Sequence, residues 1–146
     1  MANYYTMFSA ALTLPKGTTF NAARTVADKA AADWCLQNDQ AFDAEQVFAD
    51  WEDTTDDPCV VFNSETCDDL EMLIDVAQAL LDAFEISEPF VLTWANVCDK
   101  QQLGSFSGGA CVLQAGKEPH WICASRLAAE YVRSLEETKE GNDGQD

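Results

Sequence analysis

The chain has 146 residues, with 26 Asp and Glu against 8 Lys and Arg, a formal net charge of −18 and a sequence pI near 4.1. That balance excludes non-specific attraction to DNA, RNA or an anionic membrane surface at neutral pH, and it points to basic partners. Apolar residues make up 47%, and eight Phe, four Trp and three Tyr are enough to exclude an unfolded acidic tail.

Tyr4 to Leu14 reads as a first strand, closed by Pro15-Lys16-Gly17. A helix capped by Thr18 or Thr19 follows, with Phe20, Ala23, Ala27, Ala30 and Trp34 as its inward stripe and an end near Asn38. An acidic loop then extends to Pro58, and the spacing of Val47 and Trp51 predicts a short helix over 43–53 within it. Cys59 to Asn63 is a short buried strand. A second helix, with Thr66 as cap and Asp68 and Asp69 in its first turn, turns Leu70, Leu73, Ile74, Ala77, Leu80, Leu81 and Phe84 inward.

Pro89 introduces a strand, Phe90 to Cys98, whose two faces are both largely apolar, so it is expected at the centre of the sheet. A hairpin centred near Gln102 returns through Ser105 to Ala115 and sets Trp94 opposite Ala110, with the indole over neighbouring small residues. The last helix is expected from Pro119 to about Glu137, with Trp121, Ala124, Leu127 or Ala128, Tyr131 and Leu135 inward. The order is β-α-β-α-β-β-α, an α+β two-layer sandwich with helices packed on a mostly antiparallel sheet. Residues 1–140 are expected to form one acidic domain and 141–146 a flexible tail.

No apolar stretch approaches the roughly 18 residues of a membrane span, and Met-Ala-Asn-Tyr-Tyr-Thr has no signal-peptide character, so the expected location is the cytoplasm. The six cysteines, at 35, 59, 67, 98, 111 and 123, form no Cys-x-x-Cys pair, and the single His120 completes no common zinc set. Five of the six, all but Cys67, lie beside apolar residues, which favours ordinary buried thiols. Asp56-Asp57 and Asp68-Asp69 do not match a calcium loop. Gly104-x-Phe106-x-Gly108-Gly109 leads into a strand-like run instead of a helix N-terminus, against a phosphate cradle. Cys123 lies three residues from His120, but a packing histidine explains that spacing without a nucleophile. The residues therefore predict no enzyme, no cofactor and no metal.

Charge placement is the remaining signal. From Ala30 to Asp99, 70 residues run without one Lys or Arg and hold 18 of the 26 carboxylates, while elsewhere eight acids meet eight bases. Like charges about 4 Å apart repel by roughly 1 kcal/mol even in bulk water, so such purity is costly for a fold. Solubility alone would spread the acids along the chain. Asp43, Glu45, Asp50, Glu52, Asp53, Asp56 and Asp57 in the loop, with Asp68, Asp69, Glu71, Asp75 and Asp82 on the second helix, are the candidate partner-binding residues. Phe48 and Trp51 read either as interface anchors or as tethers of the loop to the core.

The segment Phe90-x-x-x-Trp94-x-x-x-Cys98-x-Lys100 followed by Gly104-x-Phe106-x-Gly108-Gly109-Ala110 resembles one in small acidic proteins of phages and mobile elements. The start Asn3-Tyr4-Tyr5-Thr6-x-Phe8-Ser9 and the region from Glu52 to Ser64-Glu65 are similar as well, so the likeness spans roughly residues 1–115 and departs at the last helix. The resemblance implies a genomic setting in which such proteins often inhibit host defence, including restriction and CRISPR machinery. The expected function is a non-enzymatic DNA mimic that fills a basic nucleic-acid-binding groove, of anti-CRISPR or anti-restriction type, without itself binding nucleic acid or membrane. The alternative is an acidic adaptor that binds a basic protein and leaves its nucleic acid in place. Either role suits a monomer or a homodimer.

Overall fold

The computed structural model describes residues 4–42, 50–52, 58–63, 69–98 and 107–143, with side chains placed for 6–42, 58–62, 69–96 and 107–139. Six strands and three helices are described: β1 Tyr4–Thr13, α1 Phe20–Gln37, β2 Asp50–Glu52, β3 Cys59–Asn63, α2 Leu70–Ala83, β4 Phe90–Cys98, β5 Ser107–Leu113, β6 His120–Cys123 and α3 Ala124–Asp143. The strands form one antiparallel sheet in the order β2-β3-β1-β4-β5-β6. The chain is thus α+β, with β1 and β4 paired at its centre.

Alternation along the strands decides which face is covered. Phe8, Leu12, Val60, Phe62, Phe90, Leu92, Cys111 and Leu113 are buried on one face, whereas Met7, Ser9, Ala11, Val91, Thr93 and Ala95 stand exposed on the other. Central position in the sheet therefore does not bury β4 on both sides. Helices α1 and α2 lie against each other over the covered face. Alanines at 23, 27 and 31 of α1 are fully buried, and their lack of side-chain bulk lets the helix approach its neighbours closely. Phe20, expected inward, is 39% exposed and carries the Arg24 guanidinium 5.9 Å from its ring centre. It belongs to the first turn, where the helix has run past the edge of the core.

Helix α2 is buried over a wider arc than one stripe. Met72 and Val76 join Leu73, Ile74, Ala77, Leu80 and Leu81 in the core, because the helix contacts both the sheet and α1. Its cap is Asp69, whose carboxylate accepts the Met72 N–H at 3.4 Å, one turn later than the Thr66 cap expected. Thr19 caps α1 in the same way, accepting from Ala22 N–H at 3.2 Å. Both helices end with a carboxylate residue in the left-handed region, Asp39 at φ 53° and Glu85 at φ 51°. The next amide closes each end, Gln40 onto the Cys35 carbonyl at 2.9 Å and Ile86 onto Leu81 at 3.0 Å.

Two strands are additions to the expected order. Residues 50–52, placed at the end of a short helix by their spacing, pair with β3, Trp51 opposite Val60. Residues 120–123, expected as the first turn of the last helix, pair with β5, Trp121 opposite Cys111. The hairpin register is also shifted by one residue, since Trp94 faces Gly109 and not Ala110. That places the indole over a glycine: a Cβ at 109 would meet Trp94 Cζ2 at 2.7 Å and collide with the Ile122 carbonyl. Trp121 packs edge-on against Trp94, ring centres 5.6 Å apart. Beyond it, Thr6 donates to Asn96 at 2.9 Å and Asn96 to Ser107 at 2.7 Å, a polar row across three strands.

Candidate acidic interaction surface

Of the acids that the charge pattern selects, Glu71 and Asp75 stand one turn apart on the exposed side of α2, about 6 Å along the axis. Burial of its surroundings, and then the Glu71 carboxylate, raise the Asp75 carboxyl above its ordinary 3.8. Because Asp75 keeps solvent contact, this repulsion is modest. It has the sign expected of a helix face that carries acids with no cation between them.

Asp82, two turns further on, has a structural duty. Its carboxylate accepts the Gly116 N–H at 2.7 Å and the Gln78 amide at 3.1 Å, and Gln78 also donates to the Gln114 carbonyl at 2.8 Å. The C-terminal end of α2 is thereby pinned to the turn between β5 and β6, where Gly116 adopts φ 72°. Asp69 is likewise engaged, as the cap of α2. So the second helix presents two outward carboxylates, Glu71 and Asp75, and uses two others to hold its ends.

In the loop set, Asp50, Trp51 and Glu52 form β2, an edge strand of the sheet. Asp43, Glu45, Phe48, Asp53, Asp56, Asp57 and Asp68 lie outside the described residues. The choice between anchor and tether for Phe48 and Trp51 falls on side chains that are not described.

Cation placement adds a second observation. Two ion pairs occur among the described residues, Arg24–Asp28 at 3.5 Å and Arg126–Glu130 at 3.1 Å, each within one helix. All four partners lie outside the 30–99 window. These two pairs join acids and bases of α1 and α3 and involve no carboxylate of the acidic segment.

Other chemistry finds little support in the geometry. His120 and Cys123 belong to a strand and not to a helix, so a separation of three puts them on opposite faces. Gly108 and Gly109 are inside β5, packed against the backbone and ring of Trp94. Among the described residues no three His, Cys, Asp or Glu side chains are grouped to hold a metal ion, and no helix is long and apolar enough to cross a membrane. Compared with protein-family models, with curated proteins and with solved structures, the chain matches none. A functional reading therefore rests on the residues of this chain.

The sequence places a last helix, but its inward face is misread: Leu127, Tyr131 and Leu135, expected inward, are 51%, 65% and 51% exposed, and Val132 beside them is 53% exposed. The helix starts at Ala124 directly after β6 and makes its main contacts with β5 and β6. With no connecting residue to reverse its direction, it does not fold back over the sheet.

Proposed function

We propose that this protein is a non-enzymatic inhibitor that acts in the cytoplasm as a DNA mimic, blocking the basic nucleic-acid-binding groove of a host defence complex of anti-CRISPR or anti-restriction type. The observation that carries this reading is the cation-free window of 18 carboxylates. Duplex DNA presents one negative charge per roughly 1.7 Å of axis, and grooves that hold it are lined with Lys and Arg. A folded body with outward acids on α2 competes for such a groove, steered by charge and weakened by salt.

The test uses the full chain and a partner captured with it from a host lysate at low salt. Duplex DNA added in excess should release the partner, because both occupy one groove. Replacing Asp43, Glu45, Asp53, Asp56, Glu71 and Asp75 by Asn or Gln should abolish capture while circular dichroism stays unchanged. A partner that holds DNA and this protein together would establish the adaptor role instead. Undiminished capture by the neutralised variant would end both readings.

A further inference from the structure

Among the described residues two apolar surfaces stand exposed, and both lie outside the cation-free acidic window or carry no charge. The first is the sheet face opposite the helices. Strands β1, β4, β5 and β6 contain no Asp, Glu, Lys or Arg, and β1 and β4 expose Met7, Ser9, Ala11, Val91, Thr93 and Ala95 there. A shallow depression of about 410 Å³ runs along the pairing of Met7 to Ser9 with Thr93 to Ala95. The second is α3. Leu127, Tyr131 and Leu135 recur every four residues with Val132 beside them, all at least half exposed. Along α3, Arg126, Arg133 and Lys139 are interleaved with Glu130, Glu136 and Glu137, and Glu140 and Asp143 in its last turn leave the helix only slightly acidic.

A helix with an apolar stripe and no layer beneath it is marginal in water, and its stability comes from burying that stripe. The same chain offers an exposed sheet face that its own α3, exposed along its stripe, does not cover. We infer that the protein is a homodimer in which α3 of each copy lies across the uncovered sheet face of the other. Charge identifies the occupant. A basic partner is drawn to the cation-free acidic window, whose described carboxylates lie outside both surfaces, whereas two chains of net charge −18 approach most readily where the sheet face carries no charge and the carboxylates of α3 are interleaved with Arg and Lys. The extent is sufficient: a 20-residue helix about 30 Å long and a four-stranded face give on the order of 1,500 Å² in total, within the range of stable interfaces. Exchange of identical elements between two copies also closes the assembly by twofold symmetry.

Sedimentation equilibrium of the full chain over a concentration series tests this. The expected result is a dimer whose association strengthens with added salt, since screening removes the repulsion between copies. Tyr131→Glu on α3 and Ala95→Lys on the sheet face should each weaken the dimer at least about tenfold, with the circular dichroism of the α/β body retained. Thr93→Lys provides a second sheet-face variant. A wild-type chain that stays monomeric at high concentration would overturn the inference. So would loss of the dimer in the α3 variant with both sheet-face variants still dimeric, which would mean that helix pairs with helix. Both acidic helix faces remain outside this interface, so failure here leaves the DNA-mimic reading to its own test.

Discussion

At the scale of single residues, Gly109 is the most constrained position described. The Trp94 ring and the Ile122 carbonyl leave no room for a side chain. Gly109→Ala should therefore cost about 2–3 kcal/mol, read as a lower urea midpoint, because overpacking forces ring or backbone to shift. An unchanged midpoint would show that the indole moves aside freely. The thiols divide just as sharply. Cys123 is exposed, and its hydrogen bond with the Ser125 hydroxyl, followed by the Arg126 and Ser125 backbone N–H groups, lowers its pKa. Cys35 and Cys111 are buried, and burial pushes Cys111 up to about 11. Among Cys35, Cys59, Cys111 and Cys123, iodoacetamide should modify Cys123 first, with Cys35 and Cys111 reacting only on unfolding; mass spectrometry of a time course decides. The sequence sets five of the six cysteines, Cys123 among them, beside apolar residues, which favours buried thiols. Cys123 escapes because it ends an edge strand, which neighbours in sequence do not reveal.

At the scale of elements, α2 combines the best-covered apolar arc with a face of acids. The folded pKa of Asp75 lies above its ordinary 3.8, so the folded state binds that proton more tightly than the unfolded chain does. The destabilisation is fully present above the folded pKa, shrinks as pH falls through it, and is gone below 3.8. Asp75→Asn should thus stabilise the protein at pH 7 by about 0.2–0.5 kcal/mol, the scale of a like-charge pair four residues apart on a helix. Thermal melts from pH 7 to 3.5 should show the two curves converging, and a constant gap would remove the electrostatic cause. The elements α1, β1, β3 and β4 stand where the residues put them, and α2 does so apart from its first turn. Spacing failed for β2 and β6. Three or four residues carry too little period to tell strand from helix turn, and the bonds that define these strands come from β3 and β5.

For the whole molecule, the field and the fold act in opposite directions. Partner capture through the acidic surface should weaken steeply between about 50 and 200 mM salt, as displacement of bound counterions requires, while self-association through the uncharged surfaces should strengthen. Measuring both on one preparation separates them, and parallel responses would mean that the two events share a surface. If the homodimer forms, it presents two acidic faces at a fixed spacing.

The sequence alone determined that there is a core, that its sheet is flanked by amphipathic helices, and that negative charge is concentrated in one segment, because composition and periodicity are local properties of the chain. Only the tertiary structure decided that Asp82 holds a turn, that Trp94 rests on Gly109, and that one sheet face and the stripe of α3 are bare. An apolar stripe records that a helix needs a partner. Whether that partner lies in the same chain depends on where the preceding strand leaves the sheet, and no periodicity carries that information.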